Sequence, residues 1–517
     1  MAWRNRKIIY KGHGAVENIK TIIIVGGGTA GWMAAASLAQ FLRGRPVEIH
    51  LVESADIGTI GVGEATIPGI RDFNASLGID EADFIKSTQA SFKLGIQFQD
   101  WKTIGSRFFH PFASYGAPID GVDFYPVWQH LYKQGKARDL QHYCLPSVLS
   151  AQNKFAQANL NASSPLARYH YAYHFDAALY AAYLRKYAEA GGVVRHEDKV
   201  IHVKLHDNGF IKSVVLEKNK ELEGELFIDC SGFRGLLIEG ALKTGYENWS
   251  HWLPVNSAVA VQSESALEPV PFTRATALES GWQWRIPLQH RVGNGYVFCD
   301  KFISHDHAAQ SLLDKLDGPA ATTPKVIKFI TGRRKQFWNK NCVALGLASG
   351  FLEPLESTSI SLIQTGISKL LMFFPEDEFN QDDISEANRL AEIEMERIRD
   401  FILLHYKLSQ RNDSEFWRYV QTIEAPETLA NKIAIFKRRG HLINYEGESF
   451  GDASWLSMYN GFGVLSKLED VRIHQLDMDS AERQLNYMHK VIQESCAHAM
   501  SHKTFLDKYC PAPKVAH

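Results

Sequence analysis

Residues 21–42 read TIIIVGGGTAGWMAAASLAQFL, three patterns in succession. Thr21 to Val25 is a β-branched run without polar alternation, which predicts a buried strand of a parallel sheet. Gly26, Gly28 and Gly31 then form GxGxxG at a strand-to-helix turn, with Thr29 and Ala30 inside it, and an alanine-rich helix is expected to about Leu42. A second apolar run, VEIHLVES, ends at Glu53, 22 residues beyond Gly31. Strand, glycine turn, helix, strand and acid together make a complete βαβ dinucleotide fingerprint. The glycines let a pyrophosphate approach the helix N-terminus, and the acid accepts hydrogen bonds from ribose hydroxyls. Gly26, Gly28, Thr29, Ala30, Gly31 and Glu53 are therefore the expected cofactor-binding residues. The motif alone leaves NAD and FAD both open, and no second GxGxxG follows it.

At 517 residues the chain is too long for one simple core, so two or three domains, or one large core with a second module, are expected. Hydrophobic content of 45%, charged content of 22% and a net charge of -2 give an ordinary globular composition. That balance points away from nucleic acid and from anionic membranes as partners. No apolar window reaches membrane-spanning length. The first twenty residues lack the apolar core of a secretory signal and read as an extension ahead of the fold. Six scattered cysteines, with no CxxC and no zinc spacing, fit the reduced thiols of a cytoplasmic protein without a metal site.

Several later stretches bear on chemistry. IGTIGVGEATIPGI (residues 57–70) is a glycine-rich loop able to drape over a cofactor, which adds Gly63 and Ala65 to the candidates. SFKLGIQF (91–98) alternates, which predicts one half-buried strand with Phe92, Leu94, Ile96 and Phe98 on one face and Lys93 on the polar face. A lysine so placed is ordinarily solvated. ELFIDCSGFRG (225–235) predicts a strand running into Asp229, Ser231 and Gly232. GWQWRIPL (281–288) puts Trp282, Trp284 and Ile286 on one strand face, and VALGLASG (343–350) reads as a strand of small residues against which a flat group can pack, adding Gly346 and Leu347. Pro354 then precedes a helix whose first turn Ser357, Thr358 and Ser359 can cap, with Glu356 beside the bare amides. Beyond residue 375 the spacing becomes helical, so the boundaries drawn are 1–20, 21–375 and 376–517.

GGGTAGWMAA, GVGEATIP, SFKLGIQF, GWQWRIP and EPLEST, in this order and spacing from about residue 20 to 465, resemble the flavin-dependent halogenases, of which the tryptophan halogenases are the familiar members. The resemblance implies an α/β flavin monooxygenase-like FAD-binding fold with a largely helical substrate module. It implies FAD reduced by a separate flavin reductase, and hypohalous acid formed from oxygen and halide (bromide or chloride) beside the flavin. Lys93 would receive the hypohalous acid, and Glu356 would hold the same oxidant or take the ring proton. Thr358 and Ser359 would offer their amides to halide; Ser359 stands where the tryptophan halogenases have glycine. Trp282 and Trp284 would wall the flavin off from the organic substrate, and His110 and Phe112 of FFHPFA (108–113) would face the arene. The segment with which tryptophan halogenases grip the amino-acid backbone has no counterpart in GHLINYEGESFGDA (440–453), so an indole-like arene is expected rather than free tryptophan. The partners expected are a small aromatic substrate and the reductase, with the chain itself a monomer or homodimer. The rival readings are a flavin monooxygenase that hydroxylates or epoxidises, and a flavin-binding scaffold without turnover.

Overall fold

The computed structural model describes residues 19–54, 63–159, 161–376 and 378–513. Most of the expected N-terminal extension, and residues 57–62 of the glycine-rich loop, lie outside the described residues.

The run Thr21–Val25 lies within a six-stranded sheet, parallel to Glu48–Glu53 on one side and to Leu226–Asp229 on the other. Val194–Glu197 extends the sheet at one edge; Cys342–Ala344 and the antiparallel Trp338–Asn339 extend it at the other. Both faces are covered, which is why this strand shows no polar alternation. Ile22 and Ile24 pack with Trp32, Ala35 and Leu38 of the helix Thr29–Phe41, and Ile23 and Val25 pack with Phe227 and Ile238 on the opposite face. The strand expected from VALGLASG is shorter than its small-residue pattern suggests. It ends at Ala344, and Gly346–Ala348 is a 3-10 turn, because Gly346 adopts φ +62 and leaves the extended path.

A seven-stranded sheet runs in the order Lys325–Lys328, Ser257–Ser263, Val292–Phe298, Gly281–Pro287, Thr273–Leu278, Gly95–Gln99, Arg107–Pro111. Every residue of Gly281–Pro287 is buried, so both faces of the paired-tryptophan strand are internal. A smaller sheet joins Gly63–Ala65, Ala172–Asp176 and Ser91–Lys93.

SFKLGIQF is thus not one strand. It breaks at Leu94, whose amide donates to the Pro271 carbonyl and whose carbonyl accepts from Phe112. Ser91–Lys93 belongs to one sheet and Gly95–Gln99 to another. A Cβ at position 95 would sit 2.2 Å from the His110 carbonyl oxygen, so only glycine permits this crossing. The break also overturns the expected solvated lysine: Lys93 is 0% exposed.

Past residue 375 the main elements are the helices Gln381–Leu408, Glu415–Thr422, Glu427–Arg439, Asp452–Gly461, Met478–Ala497 and His502–Tyr509. The first is the longest, and its start is capped by Asn380, which accepts from the amides of Asp382 and Asp383. Its last turns are buried throughout Ile398 to Tyr406. There Phe401 and Tyr406 share one apolar core with Phe98, Trp101 and Leu355 from the first part of the chain. Among the described residues no helix is long and apolar enough to cross a membrane.

Candidate active site

The glycine turn fits a dinucleotide. Gly26 adopts φ +118, and a Cβ there would lie 2.2 Å from the Cys230 carbonyl oxygen; a Cβ at Gly31 would lie 1.8 Å from that of Gly26. Residues 26–30 are partly exposed between a buried strand and a buried helix, and Gly28 caps that helix without a side chain. First-turn amides therefore open onto the crevice at the carboxyl end of the sheet, where pyrophosphate is stabilised by free N–H groups and the helix dipole. Glu53 ends the neighbouring strand, accepts from Trp32 Nε1 at 3.2 Å and pairs with Arg195. Gly346 reaches the same helix start, since a Cβ there would lie 2.9 Å from Ala30 Cβ, and Leu347 beside it is partly exposed. Gly63 and Ala65 lie not in a draping loop but on a short strand, paired with Ala172–Asp176, where a Cβ at Gly63 would meet Ile286 of the tryptophan strand. Asp229, at a ligand-binding strand end by position, is committed elsewhere: it accepts from the amides of Ser231, Leu237 and Ile238 and so holds the π-helical turn Leu236–Ala241.

Lys93 and the 353–359 stretch meet directly despite their separation in sequence. Lys93 Nζ donates to the Thr66 carbonyl at 2.8 Å and to Ser357 Oγ at 2.8 Å, and lies 5.3 Å from the centre of the Phe112 ring. Burial pushes its ammonium down to about 7, with Glu356 acting against that shift. Two of its hydrogen-bonding positions are filled, which leaves one: a third N–H when protonated, a lone pair when neutral.

The helix entry differs from a simple cap. Pro354–Glu356 forms one 3-10 turn, Ser357 takes a left-handed conformation at φ +60, and the helix runs Ser359–Met372 with Thr358 at its N-cap. No side chain caps it. The Ser357 hydroxyl turns instead to Lys93, and Thr358 Oγ1 is buried without a hydrogen-bond partner among the described residues. The first-turn amides at Thr358 and Ser359 are thus left without a side-chain cap.

Glu356 is 1% exposed. Its Oε2 lies 2.9 Å from His110 Nδ1 and its Oε1 lies 2.8 Å from His405 Nε2. Burial alone would raise the carboxyl, but the two histidines outweigh it and hold the group down at about 2. Glu353 is as deeply buried. Its Oε2 accepts from Trp282 Nε1 at 2.6 Å and from the Tyr406 hydroxyl at 2.8 Å, while Oε1 has no partner among the described residues. Here burial prevails and pushes the carboxyl up to about 7. Trp284, 6.2 Å from Trp282 between ring centres, lies over Gly295, where a Cβ would come within 2.0 Å of the indole.

Lys93, His110, Phe112, Trp282, Glu356, Thr358 and Ser359, expected from sequence, thus fall on connected elements. His405, Tyr406, Thr66 and the anchoring role of Glu353 were not foreseen. The only trace of the first two is a polar pair interrupting the apolar run FILLHYKL. The 440–453 segment has neither helix nor strand before Asp452, and sets Phe450 flat on Phe401 at 4.0 Å, 6.4 Å from the His110 ring. Lys432 ties this segment down by donating to the Ile443 carbonyl at 2.5 Å and pairing with Glu448. A groove of about 500 Å³ lined by Gln99, Asp100, Arg274, Lys315 and Arg411 shares none of these site residues.

Residues 21–477 match the family model described as Tryptophan halogenase. The chain is 46% identical to BrvH, a flavin-dependent halogenase from Brevundimonas sp. BAL3, with a TM-score of 0.93 over 96% of this chain and 100% of that one. It is 43% identical to a flavin-dependent halogenase from Xanthomonas campestris, again with a TM-score of 0.93, over 96% and 100% of the two chains. Among curated proteins, the tryptophan 6-halogenase SttH of Streptomyces toxytricini is 37% identical over 81% of this chain and 84% of its own. The chain therefore belongs to the tryptophan halogenase family: it is a flavin-dependent halogenase, with FAD supplied by a flavin reductase as its cofactor and halide as a substrate.

Proposed function

We propose that this enzyme halogenates an electron-rich arene of the indole type that is not held by an amino-acid grip. Gly26, Gly28, Gly31 and Glu53 would hold FAD, which when bound and reduced would activate oxygen as the two-electron oxidant that converts halide to hypohalous acid. Lys93 holds that acid by hydrogen bond from its one unfilled position, and Glu356 takes the proton that the ring loses. The halide approaches the uncapped amides at Thr358 and Ser359. Trp282, fixed through Glu353 and Tyr406, and Trp284, packed on Gly295, separate the flavin from the arene, while His110 and Phe112 face the ring. Residues 21–375 supply the FAD site and 376–517 complete the substrate side through His405 and Phe450.

One observation carries this reading: Ser357, the residue after Glu356, accepts directly from Lys93 inside a buried site. Amine and carboxylate are thereby fixed relative to each other before any substrate arrives, and orientation and water exclusion are what a freely reactive electrophile needs to reach one carbon. The segment 440–453, tied down by Lys432 and with Phe450 stacked on Phe401, has no counterpart of the amino-acid grip, which supports an arene without an amino-acid backbone.

The test is turnover with reduced FAD, oxygen and bromide or chloride, followed by mass spectrometry. Indole is expected to give a halogenated product, and free tryptophan much less. An oxygenated product that forms without halide would replace this reading with a monooxygenase.

A further inference from the structure

Two imidazoles reach Glu356, His110 from the strand Arg107–Pro111 and His405 from the helix Gln381–Leu408. The neighbours of His405 fix one of its ring hydrogens and the presence of a second proton beside the ring. Nδ1 lies 2.8 Å from the Phe401 carbonyl oxygen, which can only accept, so Nδ1 carries a hydrogen. Nε2 lies 2.8 Å from Glu356 Oε1. If the carboxylate is ionised, it too can only accept, and His405 is an imidazolium. If the imidazole is neutral, the hydrogen sits on Oε1. One proton therefore occupies this contact in either case. Phe98 packs on His405 at 5.0 Å, Trp101 at 5.9 Å and Phe462 at 6.4 Å between ring centres, with no exposure to water.

Among the described residues, the other charged or titratable groups around the pair are His110, whose Nδ1 lies 2.9 Å from Glu356 Oε2, Lys93, which interacts with Glu356, and Glu353, which interacts with His405 and accepts from the Tyr406 hydroxyl. Glu353 serves as an internal reference. It is equally buried, on the same turn, but receives only the neutral donors Trp282 and Tyr406. A buried carboxylate without a cationic partner favours its neutral form.

We propose that His405 is a positioning residue for halogenation: as an imidazolium it balances Glu356, so the buried pair is neutral overall and Glu356 is ionised when the ring proton arrives. This rests on the proton-accepting role given above to Glu356. The step balances simply. The ring C–H bond breaks, its electron pair restores aromaticity, an O–H bond forms on Glu356, and that proton passes to water when product leaves. The cationic ring intermediate is a strong acid, so Glu356 needs to be ionised rather than strongly basic.

Two measurements test this on the FAD-bound full chain. By ¹⁵N NMR of the resting protein at pH 7, His405, assigned by its loss in His405→Gln, is expected to carry hydrogens on both ring nitrogens. A single protonated nitrogen would overturn the proposal. In turnover with bromide and indole, His405→Gln keeps an N–H toward Glu356 but cannot carry charge. The acid limb of its rate profile is expected to move up by about one pH unit or more, with rate recovered at higher pH and KM for indole unchanged. A uniform loss with an unmoved acid limb would also overturn it. The two readings fail separately: a doubly protonated His405 together with an unimpaired Glu356→Gln enzyme removes the proton-accepting role of Glu356 and leaves the charged pair standing.

Discussion

Glu353 and Glu356 stand at the two ends of one 3-10 turn and are equally buried, yet their surroundings push them in opposite directions. Glu353 receives two neutral donors and is pushed up to about 7; Glu356 receives two histidines and is held down at about 2. Burial is common to both, so the partners make the difference. The neutral-leaning acid anchors an indole of the seven-stranded sheet, and the other is held between two imidazoles.

Breaking this comparison from the charged side has the largest expected effect. Lys93→Ala removes the amine and is expected to lower halogenation by roughly 10³-fold or more while FAD still binds, because delivery of the oxidant loses its oriented donor. Flavin fluorescence titration and product assay check the two halves, and retained halogenation would end the Lys93 assignment. Glu356→Gln makes position 356 a neutral imitation of its neighbour. Product formation is expected to fall by about 10²–10⁴-fold, the range of a lost general base, and a rate equal to the parent's would remove the proton-handling role.

The pH profile sharpens the same contrast more gently. Lys93 is charged below about 7 and neutral above. If its ammonium holds the oxidant, the rate declines by up to about tenfold per pH unit above that point. A rise through the same range would assign the neutral amine as the nucleophile instead. Glu356 is the charge that raises the Lys93 ammonium, so in Glu356→Gln the break is expected at lower pH.

The smallest effect belongs to Glu353. Its folded-state value lies above the ordinary 4.5, so the folded chain retains this proton longer than the unfolded one. The resulting stabilisation is complete below about 4.5 and is lost as pH rises through about 7. Glu353→Gln is expected to remove that slope, on the order of 2 kcal/mol between pH 5 and 8, with activity within about tenfold of the parent. Denaturant midpoints at the two pH values measure it, and an unchanged slope would show that Glu353 is ionised throughout.

Local rules read the nucleotide end well, because the strand, glycine turn, helix and acid lie within residues 21–53 and their conformations are dictated locally. They failed where the chain changes sheets. Alternation placed Lys93 on a solvated face, whereas the break at Leu94 sends it into a different sheet from Ile96. Helix-capping rules gave Ser357 to the helix, whereas a left-handed backbone turns its hydroxyl to a lysine 264 residues away in sequence. His405 and Tyr406 were illegible for a further reason. Their partners lie 49 and 53 residues upstream, and a polar pair in an apolar helix carries no local sign of what it will meet. The family resemblance pointed to Lys93 and Glu356, but the partners that set their charge come from the three-dimensional packing.

The crossing at Gly95 has one more consequence. The His110 carbonyl occupies the place where a methyl group at position 95 would stand. The strand that ends in the amine and the strand that carries the imidazole are therefore gauged against each other by a missing side chain. Gly95 acts as a shim of zero thickness, and the spacing between the Lys93 strand and the His110 strand is calibrated by an atom the sequence leaves out.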